Sequence, residues 1–364
     1  MNEITVAIAE GPSVVVAAGT TVKAALSSLL SNKQRKQTVA ARIGDTLVDF
    51  TTVLDKDTVL SPVQIGSEEA LEVLRHSAAH IMALAVRGIY GKDVKIAIGP
   101  SIENGFYYDF LYDKPFSPED FAAIEAKMEE LVRAALPFTR TELSSAAAIE
   151  KFSGEQEKFK VELIQDLATE AVSLYQVGEF TDLCRGPHLP DTSFIKAFKL
   201  LRVAGAYWRG DEKRDVLQRI YGTAFFDKKD LKKYLDHLEE AKKRDHRRLG
   251  KELELFTIRD EIGPGLILWQ PKGAQLRRLI EDFWKDEHYR HDYQLLYTPH
   301  IARQDLWKTS GHLDFYSENM YSSMDIDEVK YQLKPMNCPF HIGVFNSEKR
   351  SYREVKHYRR RKRW

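Results

Sequence analysis

The hydrophobic period changes within the first ninety residues, and that change limits the fold more than any other feature. Ile4, Val6 and Ile8 alternate, Gly11-Pro12 turns the chain, and Val14 and Val16 alternate again, so the chain opens as two strands. From Ser67 the spacing lengthens to that of a helix, with Leu71, Leu74, Ala78, Ile81 and Leu84 along one side. Separate blocks of the two periods imply an α+β, multidomain chain. Its 364 residues, 43% hydrophobic and 30% charged, are enough for more than one core.

Thr21 caps a short helix carrying Val22, Ala25, Leu26 and Leu29, and RIGDTLVDF adds strands about a turn at Gly44-Asp45. Residues 1–66 therefore read as a small ubiquitin-like β-grasp module. It has no acid–base constellation, so binding or packing is its expected role. From 67 to 226 helices alternate with short strands as in one α+β domain. One of those helices has Ser117 as its cap, Pro118 at the first position, Glu119 and Asp120 in the first turn, and a stop at Pro137. Residues 227–253 form a highly charged helix with a thin stripe of Leu231, Leu235, Leu238 and Ala241. It reads as a connector with a solvated face, contact with RNA being the alternative. Beyond it, AQLRRLIEDFWKDEHYRHDYQLLYTPH reads as a long helix entering a strand that ends at Pro299.

Lys plus Arg and Asp plus Glu number 54 each, so net charge argues neither for nor against a polyanionic partner. Two cysteines in unrelated contexts, Cys184 and Cys338, make a disulfide framework unexpected and a reducing compartment the natural one. No apolar run approaches the ~18 residues of a membrane span, and MNEITVAIAEG lacks the pattern of a leader, so no membrane partner and a cytoplasmic location are expected.

RHSAAH places His76 and His80 four apart on the helix that begins near Ser67, so both imidazoles leave one face. TDLCRGPH places Cys184 and His188 four apart in a loop of Gly and Pro. Three readings fit this quartet. It has the donors of a zinc site; its imidazoles can orient a water and shuttle its proton; or its members are satisfied core and surface residues.

Together RHSAAH, AIGPSIENGFYYDF, TDLCRGPH, FKLLRVAGAYWRGDEKRDVLQRIYGTAF and KRDHRRLGKELELF resemble bacterial threonyl-tRNA synthetase. GPGLILWQPKGAQLRRLIEDF, YQLLYTPHI, LWKTSGH and LKPMNCPFH continue the likeness in the same order, to about residue 354. The resemblance implies a β-grasp module at 1–66, an editing domain at 67–226, a linker helix at 227–253 and, at 254–354, the opening part of a class II antiparallel-sheet catalytic domain. The stretch 355–364, with KHYRRRKRW, departs from the family. It also implies that His76, His80, Cys184 and His188 form a hydrolytic editing site that works without bound metal, although a similar quartet in the alanyl family holds zinc. Residues matching Tyr108, Lys160 and Asp182 line that pocket in the family. Lys160 would hold charge near the terminal adenosine and Asp182 would sit beside the substrate amine. Ordinary surface pairing is the other reading of Lys160 and Asp182.

For the family, the implied reaction is ATP-dependent charging of tRNA(Thr) with threonine, using magnesium and one catalytic zinc, plus hydrolysis of misattached serine by a homodimer. Met336 and Cys338 match residues of that aminoacylation site, Cys338 as the first zinc ligand, and the partner ligands and ATP-binding arginines are not found here. The sequence therefore reads as a synthetase incomplete within its catalytic domain, with no threonine-dependent exchange of pyrophosphate into ATP expected. A free-standing deacylase and a non-catalytic RNA-binding regulatory module are the alternatives.

Overall fold

A computed structural model describes residues 2–9, 11–349 and 351. The basic stretch 355–364 and residues 352–354 lie outside the described residues.

The opening alternation becomes an antiparallel hairpin of Glu3–Ile8 and Ser13–Ala17, with Ile4 opposite Val16 and Val6 opposite Val14. Ile4 and Val6 are buried while Val15 points outward, as a half-covered sheet requires. Three further strands complete a mixed five-stranded sheet in the order Ser13–Ala17, Glu3–Ile8, Thr58–Gln64, Thr38–Ile43, Thr46–Val48. The Glu3–Ile8 and Thr58–Gln64 strands run parallel. Helix Val22–Leu29, capped by the Thr21 hydroxyl accepting from the Ala24 N–H, packs Val22, Ala25 and Leu26 against Val6, Leu54 and Leu60. A second short helix, Asn32–Gln37, starts from a reciprocal Ser31–Gln34 capping box.

Helix Glu68–Tyr90 is the axis of the next region. The Ser67 hydroxyl caps it at Ala70, Glu68 and Glu69 occupy its positive end, and Gly91 at positive φ ends it. It is buried nearly all round, with Ala70, Ala78, Ala79, Ala83 and Ala85 among its covered residues. Small side chains let neighbours approach on several sides, so the helix can be a core element and still carry function. An antiparallel sheet of Ala197–Tyr207, Val216–Phe225, Gly105–Leu111 and Lys95–Ile96 lies against it. So does helix Phe121–Arg133, which buries Phe121, Ile124 and Met128 and is preceded by a 3-10 turn at Pro118–Asp120 behind the Ser117 cap.

A three-stranded antiparallel sheet of Phe138–Ser144, Ala171–Val177 and Phe180–Leu183 is covered by helices Ser145–Gly154 and Lys158–Leu167. A buried carboxylate and a partly buried arginine tie the second of these helices to the axis. Glu157, just before Lys158, is fully buried, pairs with Arg87 at 2.7 Å and accepts from the Ile96 N–H at 3.2 Å.

The charged segment is two helices rather than one. Lys228–Lys243 and His246–Glu252 are separated at Arg244–Asp245, where the Asp245 carboxylate accepts from the Arg247 N–H and starts a new helix. Residues 1–241 form one unit and 242–364 another. Within the second, a hairpin of Phe256–Ile258 and Ile267–Trp269 precedes helix Pro271–Arg290, and three short strands, Ile301–Arg303, Val329–Leu333 and Met324–Ile326, form a small sheet. The strand expected to end at Pro299 is irregular backbone instead: among the described residues no neighbouring strand completes a ladder with Gln294–Pro299. Helix Pro271–Arg290 leaves Leu276, Leu279, Ile280, Phe283 and Trp284 exposed, an apolar stripe at helical spacing.

The Arg87–Glu157 pair makes a direct test of how the first unit is held. Arg87→Ala should destabilise it by about 3–5 kcal/mol, because it strands a buried carboxylate. Adding Glu157→Gln should recover much of that loss, read by urea unfolding of single and double variants.

Candidate functional site

His76 and His80 leave the helix axis on one face, with ring centroids 5.2 Å apart. The loop after strand Phe180–Leu183 brings Cys184 and His188 against them. His76 Nε2 lies 3.0 Å from Cys184 Sγ, and Cys184 Sγ lies 3.3 Å from His188 Nε2. The rings of His188 and His80 are 4.3 Å apart, and one donor atom from each of the four residues falls within 4.8 Å of the others. The two pairs, about a hundred residues apart in sequence, are one cluster.

Hydrogen bonds fix the loop to the helix. Ser77, between the two histidines in sequence, accepts from the Leu189 N–H at 3.0 Å and meets His188 Nδ1 at 3.1 Å. The Gly186 N–H donates to Cys184 Sγ at 3.2 Å. One proton arrangement satisfies every contact: Ser77 donates to His188 Nδ1, His188 Nε2–H donates to sulfur, and the Cys184 thiol donates to His76 Nε2. Phe138 stacks flat on His188 at 4.8 Å, and Tyr175 meets the same ring edge-on at 4.6 Å. Ser77, Phe138 and Tyr175 are absent from the sequence reading. Only Ser77 offered a signal, as a hydroxyl inside RHSAAH.

Burial sets the charge. It drives His76 down to about 4 and His80 to about 3, against the opposing pull of Asp182. It also holds His188 well below the ordinary histidine range, helped by His80 and His76. The Cys184 thiol is pushed up to about 12, again by burial, with the Gly186 N–H acting the other way. At neutral pH the quartet is three neutral imidazoles and a protonated thiol.

Charge is concentrated one layer away. Asp182 and Lys160 form an ion pair in which both side chains are buried, and Tyr108 donates to Asp182. Lys160 Nζ also reaches the Tyr108 hydroxyl at 3.2 Å, and His80 Nε2 lies 3.7 Å from Asp182. Burial would raise the Asp182 carboxyl, but Lys160, His80 and Tyr108 together hold it below the usual range. Gly99 packs beneath Tyr108 so closely that any side chain there would meet the ring. Lys160 and Asp182 are thus not an ordinary surface pair. A buried ion pair costs several kcal/mol per ion in desolvation, and it persists only with good geometry and further partners.

The quartet fits a soft divalent metal by its chemistry: three imidazoles and a thiol with converging donor atoms, and a buried His80 Nδ1 without a protein hydrogen-bond partner. Beside Cys184 runs a cavity of about 440 Å³, walled by Leu163, Leu167, Val172 and Leu183 and edged by Arg185. Met336 and Cys338 lie in the second unit and are exposed.

Residues 172–221, from the strand carrying Tyr175 to the sheet under the helix axis, match the family described as the Threonyl and Alanyl tRNA synthetase second additional domain. The site-bearing region is thus of a kind that accompanies aminoacyl-tRNA synthetases. Over nearly its whole length the chain is similar to part of the threonine–tRNA ligases. It is 51% identical over 355 residues to that of Pelobacter propionicus, covering 98% of this chain and 55% of the relative. To that of Maridesulfovibrio salexigens it is 55% identical over 331 residues, or 91% of this chain and 51% of the relative. The chain spans about half the length of the curated relatives it matches. The RNA-binding domain of threonyl-tRNA synthetase from Cryptosporidium parvum is 43% identical across 31% of this chain and 28% of that one, with a TM-score of 0.30. No helix among the described residues is long and apolar enough to cross a membrane.

The depressed histidines predict an acid-sensitive fold. An unfolded histidine takes up a proton near pH 6.5, whereas folded His76 and His80 do so only near 4 and 3. The unfolded state therefore binds more protons between those values. Stability should be full above about pH 6.5 and fall on acidification, by about 1.4 kcal/mol per pH unit for each such proton. Urea unfolding at pH 7.5 and pH 5 measures this, and His76→Asn should flatten the slope.

Proposed function

We propose that residues 67–226 form an editing domain that hydrolyses the ester joining serine to tRNA(Thr), with His76, His80, Cys184 and His188 as the reacting site. The observation that carries this reading is a quartet of three imidazoles and a thiol with converging donor atoms, set beside a buried Lys160–Asp182 pair. Hydrolysis requires water oxygen to attack the ester carbonyl carbon, and a neutral imidazole can accept the proton that water loses. A proton passed back to the ribose oxygen then releases serine and the free tRNA end. With His76 near 4, its basicity is slight, so most of its effect is to hold the water in line. An aminoacyl ester is activated enough for that to suffice.

Asp182 would attract the ammonium of the seryl group, and Lys160 would hold the acceptor end and steady charge developing on the carbonyl oxygen. Selection against threonine is steric. One methyl separates the two amino acids, a difference worth roughly 1–3 kcal/mol when it must be forced into a packed wall. Accuracy at a charging site limited to that difference is the reason for a second, hydrolytic site.

A zinc ion, if bound, would be held by His76, His80, Cys184 and His188 and would supply a Lewis acid. We propose that editing proceeds without it. A divalent ion with a single thiolate would leave uncompensated positive charge beside buried Lys160, whose carboxylate partner is already engaged. The wider reading follows the relatives: a β-grasp module at 1–66, a linker at 227–253, and at 254–354 part of an aminoacylation domain in which Met336 and Cys338 would face threonine, ATP and zinc. tRNA(Thr) is then the shared partner. A free-standing deacylase acting in trans uses the same site and gives the same hydrolysis.

Release of labelled serine from seryl-tRNA(Thr), with threonyl-tRNA(Thr) as control, is the test. Serine should leave much faster than threonine, and His76→Ala should slow it roughly 100-fold. Equal rates on the two substrates, or a folded His76→Ala variant as fast as wild type, would remove the editing reading. Metal analysis of the purified protein should find far less than one zinc per chain; near-stoichiometric zinc lost in Cys184→Ala would overturn the metal-free mechanism. Because Lys160 is buried, Lys160→Ala should also cost about 3–5 kcal/mol of stability. Its rate is therefore read beside an unfolding curve.

A further inference from the structure

We infer that Asp49, in the N-terminal module, is a positioning residue for the quartet, acting through Tyr175. Asp49 follows strand Thr46–Val48 and is 3% exposed. One of its carboxylate oxygens is satisfied within its own module, accepting from the Thr51 N–H at 2.9 Å and the Thr51 hydroxyl at 2.6 Å. The other oxygen leaves the module and accepts from the Tyr175 hydroxyl at 2.5 Å, across 126 residues of sequence.

Tyr175 is buried in the middle of strand Ala171–Val177, directly opposite Asp182 in the ladder. Its ring stands edge-on to His188 at 4.6 Å, and its hydroxyl end lies where any Cβ on Gly186 would fall. Gly186 in turn donates to Cys184 Sγ. The phenol thus touches the loop at both of its reacting residues: His188 by ring contact, and Cys184 through the glycine whose N–H binds the sulfur. Asp49 holds that phenol at its far end. Without an acceptor there, a buried hydroxyl must find another partner, and doing so would shift the ring relative to His188 and Gly186. The module without an acid–base constellation of its own would therefore set the geometry of a site in the next domain.

The rate consequence rests on the hydrolytic reading above, so the test has two arms. The first follows the site directly, by alkylation of Cys184 with iodoacetamide and by the imidazole resonances of His188 in the full chain. Asp49→Ala should speed alkylation of Cys184 roughly tenfold and shift the His188 signals, whereas Asp49→Asn, which keeps an acceptor oxygen, should stay close to wild type. The second arm is serine release, where Asp49→Ala should lower kcat roughly tenfold with KM little changed and Asp49→Asn should rescue it. Should Asp49→Ala fail to fold, Tyr175→Phe removes the same hydrogen bond from the other side and should give the same changes.

Unchanged alkylation and unchanged His188 signals in a folded Asp49→Ala or Tyr175→Phe variant would overturn the inference. So would an Asp49→Asn variant as impaired as Asp49→Ala, since the carboxylate's charge and not its acceptor oxygen would then be at work. A wild-type chain that releases no serine removes the proposed function alone, and the first arm still decides the role of Asp49.

Discussion

The buried pair of Lys160 and Asp182 is the interaction around which the polar centre of the first unit is arranged. It joins helix Lys158–Leu167 to strand Phe180–Leu183 at the point where the strand runs into the Cys184 loop. Each ion alone would be costly in that position. Together, with Tyr108 donating to the carboxylate and His80 beside it, they place a fixed dipole next to four groups that burial has made neutral. Under the editing proposal the labour would divide accordingly: the pair would supply electrostatics, and the quartet proton acceptors and donors of low charge. Arg87 and Glu157 do for the start of the same helix what Lys160 and Asp182 do for its first turn, anchoring it to the axis that carries His76 and His80.

Local signals in the sequence were sufficient wherever structure is set by neighbours in the chain. Ser67 caps its helix, His76 and His80 share a face, and Ile4 and Val6 bury themselves while Val15 does not. The resemblance to threonyl-tRNA synthetases added which distant segments belong together, and the chain's likeness to the ligases over nearly its whole length agrees with it. What remained illegible was burial imposed from afar. Nothing in EKFKVEL distinguishes Lys160 from the exposed Lys158 two residues before it, because the difference lies in Asp182 and Tyr108. Asp49 is one polar residue within the strand-like RIGDTLVDF, and only the folded chain brings Tyr175 to it. The split at Asp245 was legible in principle, since aspartate is a good helix N-cap, but its neighbours' helical pattern masked it.

Packing also joins the N-terminal module to the region that follows it. Strands Thr38–Ile43 and Thr58–Gln64 contribute Val39, Ala40 and Val63 to the same apolar cluster as the helix axis, so the N-terminal sheet is packed into that core. A carboxylate at the edge of that sheet is consequently held in place by apolar burial on one side and by its own Thr51 and Thr52 on the other.

Gly186 gives this arrangement a consequence for its history. Its backbone sits at positive φ and the Tyr175 hydroxyl fills the space a side chain would need, so two independent constraints close the same position. Relieving only one of them gains nothing, because a residue that tolerates the backbone would still displace the phenol. Such a position has an alphabet of one letter, and drift in the surrounding loop must go around it. Descendants of this chain can change Arg185, which faces solvent, far more freely than the glycine beside it.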